Sequence, residues 1–492
     1  MRNIFKNIIL SIILVGATSC SGFLEELPDG TISVDEIRNM DDLEQILVSV
    51  YSPLKVICAG GTVLYPEIQT DYVYSVIGYT NTAGSIYTWN FNPESSEVSS
   101  VWNNCWNGIS RANFLLENAY RANPNESEQE RYNEILGETH FIRTLLYSEM
   151  IKTYSDPYGR NLGGSSADPN KQLGLPIFNE TGIVTQRRAS MYDYYQNMFN
   201  DLAIAEANIT RTGTDDVYVT KGAVRALRAR LYLYMEDWEN AEKEASFLID
   251  SCDYRLMDAK AGDSSEYAHM WEYDEGDEII FKISYSRTDL GGAMGSLFWM
   301  QAAGKFTPDY VPATWVLKLY EEDDARYNVF FSEEQTAYQH ELKWPLLKKY
   351  PGNPDLWTSS VTNYTNMPKV FRLSEMYLIR AESRLEQGNE SGASDDLNTL
   401  RKARIASPDP IENVRKTLEN ERVRELYMEG HRLYDLKRWG VGFERTPQES
   451  TVYPGNDEKI SSDDVFFTWP IPASELNVPN SEVVGNPSNY AQ

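Results

Sequence analysis

The sequence predicts a mainly α-helical fold with long loops and short strands, and three observations carry that expectation. Clearly helical segments alternate along the 492 residues with stretches rich in aromatics, Gly, Asn, Ser and Thr, which read as loops or short strands. Ala229 and Ala241 lie twelve positions apart around Asp237-Trp238, and Ala381 and Ala393 lie twelve apart around Gly388-Asn389. Small residues on either side of a tight turn let two antiparallel helices approach closely, as in a TPR-like hairpin. The two hairpins are far apart in sequence, so they belong to a scaffold with inserted loops rather than to a regular solenoid.

The first element is a leader. In MRNIFKNIILSIILVGATSC, Arg2 and Lys6 give a positive start, Ile8 to Val15 a brief apolar run, and Gly16 to Ser19 small residues before Cys20. The run is far short of the roughly 20 residues that span a bilayer. This is the layout of a bacterial lipoprotein signal over residues 1–19, cleaved so that Cys20 is lipidated. Ala17 stands where such signals prefer Leu, and Ala-Thr-Ser also suits ordinary secretory cleavage. Residues 20–35 read as a tether, and residues 36–492 as the folded body.

Helices are expected at about Asp41–Leu54, Val98–Ala122 and Glu128–Tyr154, the last stopped by Ser155-Asp156-Pro157-Tyr158-Gly159. They resume near Met191–Ile209, Thr220–Met235 and Trp238–Ser251, and again at Leu373–Gln387, Glu390–Arg404 and Ile411–Leu436. Between them, residues 57–97 and 252–314 are aromatic and turn-rich. Glu278 to Tyr285 reads as a strand. After the leader, no long apolar segment is expected to span a membrane.

Hydrophobic residues make up 41% and aromatics 12%, which excludes a disordered chain. Seventy-three acids against 45 bases give a net charge of −28. Loss of Arg2 and Lys6 with the leader makes the body more acidic still. Such a surface repels nucleic acid and anionic lipid; a neutral or cationic ligand suits it better than a polyanion, and the simplest reading is that the acidity keeps a secreted protein soluble. No CxxC occurs, and His140, His269, His340 and His431 are scattered, so no local zinc signature or metal site is expected. Cys58, Cys105 and Cys252 allow at most one disulfide, and free thiols are expected. No cofactor is implied.

Catalytic motifs are absent: there is no GxSxG, P-loop, HExxH or GxGxxG in a suitable setting. Glu425, Glu429 and Asp435 lie near Arg422, Arg432 and Arg438, and paired carboxylates are what glycoside hydrolysis uses. Within one helix, ion pairs at i, i+3 and i, i+4 are the ordinary explanation. Asp215-Asp216 and Asp323-Asp324 read as solvated turn acids, with calcium ligation as the alternative.

The loop aromatics are the better candidates. Sugars present apolar C–H faces that stack on rings, while their hydroxyls need amides and carboxylates. The candidates are Asp71, Tyr79, Tyr87 and Trp89 in the early segment and Tyr285 and Trp299 in the later one. The alternative for each ring is packing beneath its own loop. Trp102 and Trp106, four apart on a helix, are expected in the core, with Trp238, Trp315 and Trp439.

Several blocks resemble the SusD/RagB family of outer-membrane glycan-binding lipoproteins. They are Phe371 to Glu382, Ala393 to Arg401, Glu421 to Arg432, Asp435 to Gly440, Trp469-Pro-Ile-Pro472 and Asn486-Pro-Ser-Asn-Tyr490. Upstream, Trp102 to Asn113, Gly137 to Tyr158 and Thr220 to Tyr232 fit the same pattern in the same order. His140 and His431 sit at variable positions. The resemblance implies a single α-rich domain built on four TPR-like helix pairs, within about 41–54, 98–154, 191–251 and 373–436. It also implies lipid anchoring at the outward face of the outer membrane and non-catalytic binding of a glycan. The implied partner is a TonB-dependent transporter of the SusC type. The rival expectations are binding of peptides or another nutrient, a surface glycosidase, and a scaffold without ligand.

Overall fold

The computed structural model describes residues 37–491 except 77–81, 183–185, 216, 263–264, 338–342, 447–451 and 454–458. The leader, Cys20, the tether, Tyr79 and Asp216 therefore lie outside the described residues.

The first helix, α1 (Met40–Tyr51), opens on Asn39, whose side chain accepts the Asp42 N–H. It buries Leu43, Ile46, Leu47 and Val50 on one stripe. The run Met40–Ile68 is long and apolar enough to cross a membrane by composition alone. It is instead broken into α1, Leu54–Val56, a π-turn at Ile57–Gly61 and Leu64–Ile68, and half of it is buried in the core. Two long helices follow, α2 (Ser96–Asn118) and α3 (Gln129–Tyr154). They approach closely at Gly108, where a Cβ would lie 2.5 Å from Leu146.

Next come α4 (Met191–Asn208), α5 (Lys221–Met235) and α6 (Trp238–Ser251), then α7 (Leu373–Glu386) and α8 (Glu390–Arg404). Ser190, Thr220, Asp237 and Asn389 cap the starts of α4, α5, α6 and α8 by accepting the backbone N–H three residues on. Ala229, Ala241, Ala381 and Ala393 have no exposed surface, and α5 packs on α6 and α7 on α8 as the two hairpins require. Helix α6 also packs on α7 and joins the two hairpins into one layer.

The expected helix over 411–436 is two helices, α9 (Val414–Leu426) and α10 (Arg432–Trp439). The break lies at Met428 and Gly430, whose φ values are 60° and 86°. Glu67 makes the restart favourable: its Oε1 accepts the N–H groups of His431 at 2.5 Å and Arg432 at 3.1 Å. A carboxyl group from the first part of the chain thus caps the start of α10.

Strands are short. In chain order they include β1 (Val73–Val76), β2 (Ile279–Lys282), β3 (Gln301–Ala302), β4 (Lys305–Phe306) and β5 (Tyr310–Pro312). Then come β6 (Phe331–Gln335), β7 (Lys343–Leu347) and β8 (Lys369–Arg372). β1 pairs antiparallel with β5, Val73 opposite Pro312 and Ser75 opposite Tyr310, and β2 pairs with β8. The β1–β5 pairing sets the early aromatic segment beside the later one.

The tail closes the core. Trp469 is 1% exposed, sits among the rings of Tyr65, Phe91 and Tyr154, and donates its indole N–H to Gln69 at 2.8 Å. Asn486 donates to the carbonyls of Tyr154 and Trp469, both at 2.8 Å. Cys58, Cys105 and Cys252 are free thiols.

Candidate ligand-binding surface

Most of the individual candidates are interior residues. Trp89 packs between Phe443 and Phe467 and donates its indole N–H to the Gln69 carbonyl at 2.7 Å. Tyr87 has no exposed surface; Arg445 lies 4.1 Å over its ring, and burial pushes its phenol up to about 12. Asp71 is 7% exposed, and Arg432 engages both its carboxylate oxygens. Tyr285 is a buried wedge whose hydroxyl donates to the Lys55 carbonyl at 3.0 Å. These four groups are spent on holding the loops. Each thus has the packing that was the alternative to ligand contact, and a polar atom already paired in a dry site gains little from a new partner.

Trp299 differs. It ends the short helical turn Ser296–Trp299 and is half-buried, resting against Phe306 with ring centroids 4.4 Å apart. The next residue, Met300, is 44% exposed. The β3–β4 hairpin turns at Ala303 and Gly304, both at positive φ, and carries this surface outward. Its base is held from below. Tyr364 accepts the Gln301 N–H on its hydroxyl at 2.9 Å, and its carbonyl accepts the Gly295 N–H. Gly295 has to be glycine, because a Cβ there would lie 2.0 Å from the Tyr350 carbonyl oxygen. Asp309 donates its N–H to Leu297 and accepts that of Val76, so the platform is tied to β1. The Tyr310 hydroxyl reaches the Thr82 carbonyl at 2.6 Å. The surface is therefore an aromatic and thioether ledge on a rigid base, where the two segments singled out in the sequence meet. Sequence reasoning missed Tyr364 and Gly295, whose roles are set by contacts far along the chain and leave no local spacing to read.

The acid–base ladder is a buried structural network, and its partners are not the ones expected. Only Glu421–Arg424 and Asp435–Arg438 pair at i, i+3. Glu425 is held by Arg326, Arg372 and Arg404, three arginines from three other segments, at 3.0, 2.9 and 3.0 Å. Arg372 also pairs with Glu278 and Glu429, and Lys349 with Glu429. Burial alone would raise the Glu425 carboxyl; the three guanidiniums hold it well below the usual range. A carboxyl held ionised in this way is no proton donor at neutral pH. Asp324 belongs to this interior too: it is 2% exposed and grips Arg326, so it is no solvated turn acid. Asp215 binds Lys282 at 2.6 Å. Among the described residues, no group of three or more His, Cys, Asp or Glu is placed to hold a metal.

Trp102 is buried as expected, but Trp106 is half-buried and lines an open cavity of about 360 Å³ between α2 and the tail. The i, i+4 spacing that read as core identified the shared face without showing what covers it.

The described residues thus form a helical scaffold with an aromatic ledge at Trp299. Two family profiles match: one described as the SusD family over residues 326–489, the other as starch-binding associating with outer membrane over residues 22–233. The chain belongs to the SusD/RagB family. It is 24% identical to SusD-like protein P38 of Formosa agariphila, over 88% of this chain and 92% of that one. It is 34% identical to the starch-binding protein SusD of Bacteroides thetaiotaomicron over 113 residues, 23% of this chain and 20% of that one. Among solved structures, a SusD superfamily protein from Bacteroides thetaiotaomicron superposes with a TM-score of 0.77 at 22% identity, covering 91% of this chain and all of that one. Surface glycan-binding protein A from Bacteroides fluxus gives 0.69 at 20% identity, covering 92% and 99%.

Proposed function

We propose that this protein captures an extracellular oligosaccharide or polysaccharide without altering it and hands it to a TonB-dependent transporter of the SusC type. Cys20 carries the lipid anchor, and the body sits on the outward face of the outer membrane. The observation that carries the reading is the Trp299–Met300 ledge, an aromatic surface open to solvent and braced by Phe306, Tyr364 and Gly295. Rings in that position stack on sugar faces, and a rigid support keeps the entropic cost of binding low. The names of its relatives, starch-binding and surface glycan-binding, point to the same cargo. The paired state of the buried carboxylates favours binding over hydrolysis. Anchoring follows from the leader: each buried lipid CH₂ adds about 0.8 kcal/mol, so several acyl chains hold the body at the membrane.

The test is calorimetry of the purified protein against a glycan panel, with product analysis after long incubation. Saturable binding without turnover, weakened about tenfold or more by Trp299→Ala, is expected. Release of shorter sugars would replace capture by hydrolysis, and binding of peptides in place of glycans would change the cargo. Cys20→Ala is expected to release a folded, ligand-competent protein that no longer supports uptake.

A further inference from the structure

The cavity beside Trp106 shares no residue with the Trp299 ledge, and its lining has a chemistry of its own. One wall is α2, with Trp102 and Trp106 packed edge-to-face at 5.8 Å. Phe178 continues this aromatic wall, 5.0 Å from Trp106. The opposite wall is the tail from Glu475 to Val483. The floor is fixed before any ligand arrives. The Tyr147 hydroxyl both donates to the Phe178 carbonyl at 2.7 Å and accepts the Phe178 N–H at 3.0 Å. Asn113 donates to that carbonyl as well and accepts from Arg143.

The charge is one-sided. Glu180, Glu475 and Glu482 line the cavity, and no Lys, Arg or His stands among its described lining residues. Glu482 meets Arg187 at the exposed rim, 3.1 Å away. Glu475 is different: it is half-buried, its neighbour is the Trp102 indole N–H, and burial raises its carboxyl above the ordinary range. An aromatic wall facing a half-buried carboxylate is a setting that favours a cation, since ring faces attract positive charge and a counter-ion offsets the cost of burying the acid. An anionic ligand is disfavoured by the same groups, and the volume lies within the range of small-molecule sites.

We propose that this cavity is a second binding site and that it takes a small organic cation, its ammonium group set against the Trp106 ring with Glu475 as counter-charge. Two sources share that chemistry, a free quaternary or primary amine and an amine-bearing sugar. The site works independently of the glycan ledge.

Calorimetry on the purified full-length protein tests it, with choline and glucosamine as probes and N-acetylglucosamine and glucose as neutral controls. Saturable binding of choline, of glucosamine or of both, without binding of the neutral sugars here, is expected; choline alone identifies a free cation and glucosamine alone an amine-bearing sugar. Glu475→Gln keeps an acceptor for the Trp102 N–H and removes the charge, and is expected to weaken binding about tenfold. Trp106→Ala should do the same, with its melting temperature measured to separate binding from folding. Trp299→Ala should leave cation binding unchanged. No binding of either amine, equal binding of N-acetylglucosamine that Trp299→Ala leaves intact, or an unaltered affinity in Glu475→Gln would each overturn the proposal.

Discussion

Arg432 grips Asp71 with both arms of a fork, Nε to Oδ1 at 3.0 Å and Nη2 to Oδ2 at 2.9 Å, and so joins the start of α10 to the segment just before β1. The guanidinium also lies over the rings of Tyr72 and Trp315, and the Trp315 indole N–H donates to the Asp71 carbonyl at 2.8 Å. The pair is a clamp between distant parts of the chain. Removing one partner strands a buried charge, which costs about 3–5 kcal/mol. Asp71→Ala is therefore expected to lower stability by that order in denaturant titration. Glycan affinity per folded molecule should stay as it was.

The two tryptophans read as binding candidates should separate cleanly. Trp89→Ala empties a slot between Phe443 and Phe467 and leaves the Gln69 carbonyl without its indole partner, so a loss of about 3–5 kcal/mol in stability is expected. Trp299→Ala removes a half-exposed ring and should shift stability by less than about 1 kcal/mol. Thermal unfolding beside calorimetric titration of both variants checks the contrast.

Gly295 offers a sharper test of the ledge. Gly295→Ala drives a methyl group to 2.0 Å from the Tyr350 carbonyl oxygen, a distance that forces the Ser296–Trp299 turn to move. Glycan affinity is expected to fall about as far as in Trp299→Ala, although no ring has been removed. Unchanged affinity would mean that the support beneath Trp299 does not matter.

Glu67 gives a pH signature. Burial raises its carboxyl to about 8, although the N–H groups of Arg432 and His431 partly offset this, and its Oε2 makes no hydrogen bond among the described residues. In the unfolded chain the same group titrates near 4.5. The folded state then holds a proton that the unfolded state gives up, so this contribution is complete below pH about 4.5 and is lost as pH rises to about 8. Glu67→Gln cannot titrate. The difference in melting temperature between the two proteins should slope across that interval and level off beyond it.

How much of this was legible in the sequence depended on how local the cause was. The two hairpins could be read because Ala229, Ala241, Ala381 and Ala393 act within one turn-linked pair. The short strands and turns of the early and later aromatic segments could be read from their aromatic and turn content, though not that β1 and β5 pair. The roles of single rings could not: what buries Trp89 is Phe443 and Phe467, and what exposes Trp299 is the direction of a hairpin. The break between α9 and α10 was hidden for the same reason. A helical pattern runs through 411–436, and the group that makes a restart favourable is Glu67, a long way back. The ion pairs of Glu425 followed no helical spacing, because its arginines come from three other segments.

The position of Trp469 has a consequence for the order in which the molecule can be completed. Its indole fills a slot framed by Tyr65, Phe91 and Tyr154, residues made long before it. A nascent chain emerges amino end first, so that slot stays unfilled until Trp469 has been made. Contacts of such long sequence separation are formed slowly and late. The packing around Tyr65, Phe91 and Tyr154 is therefore completed only once the segment bearing Trp469 has been made. The Trp-Pro-Ile-Pro block works as a latch in time as well as in space.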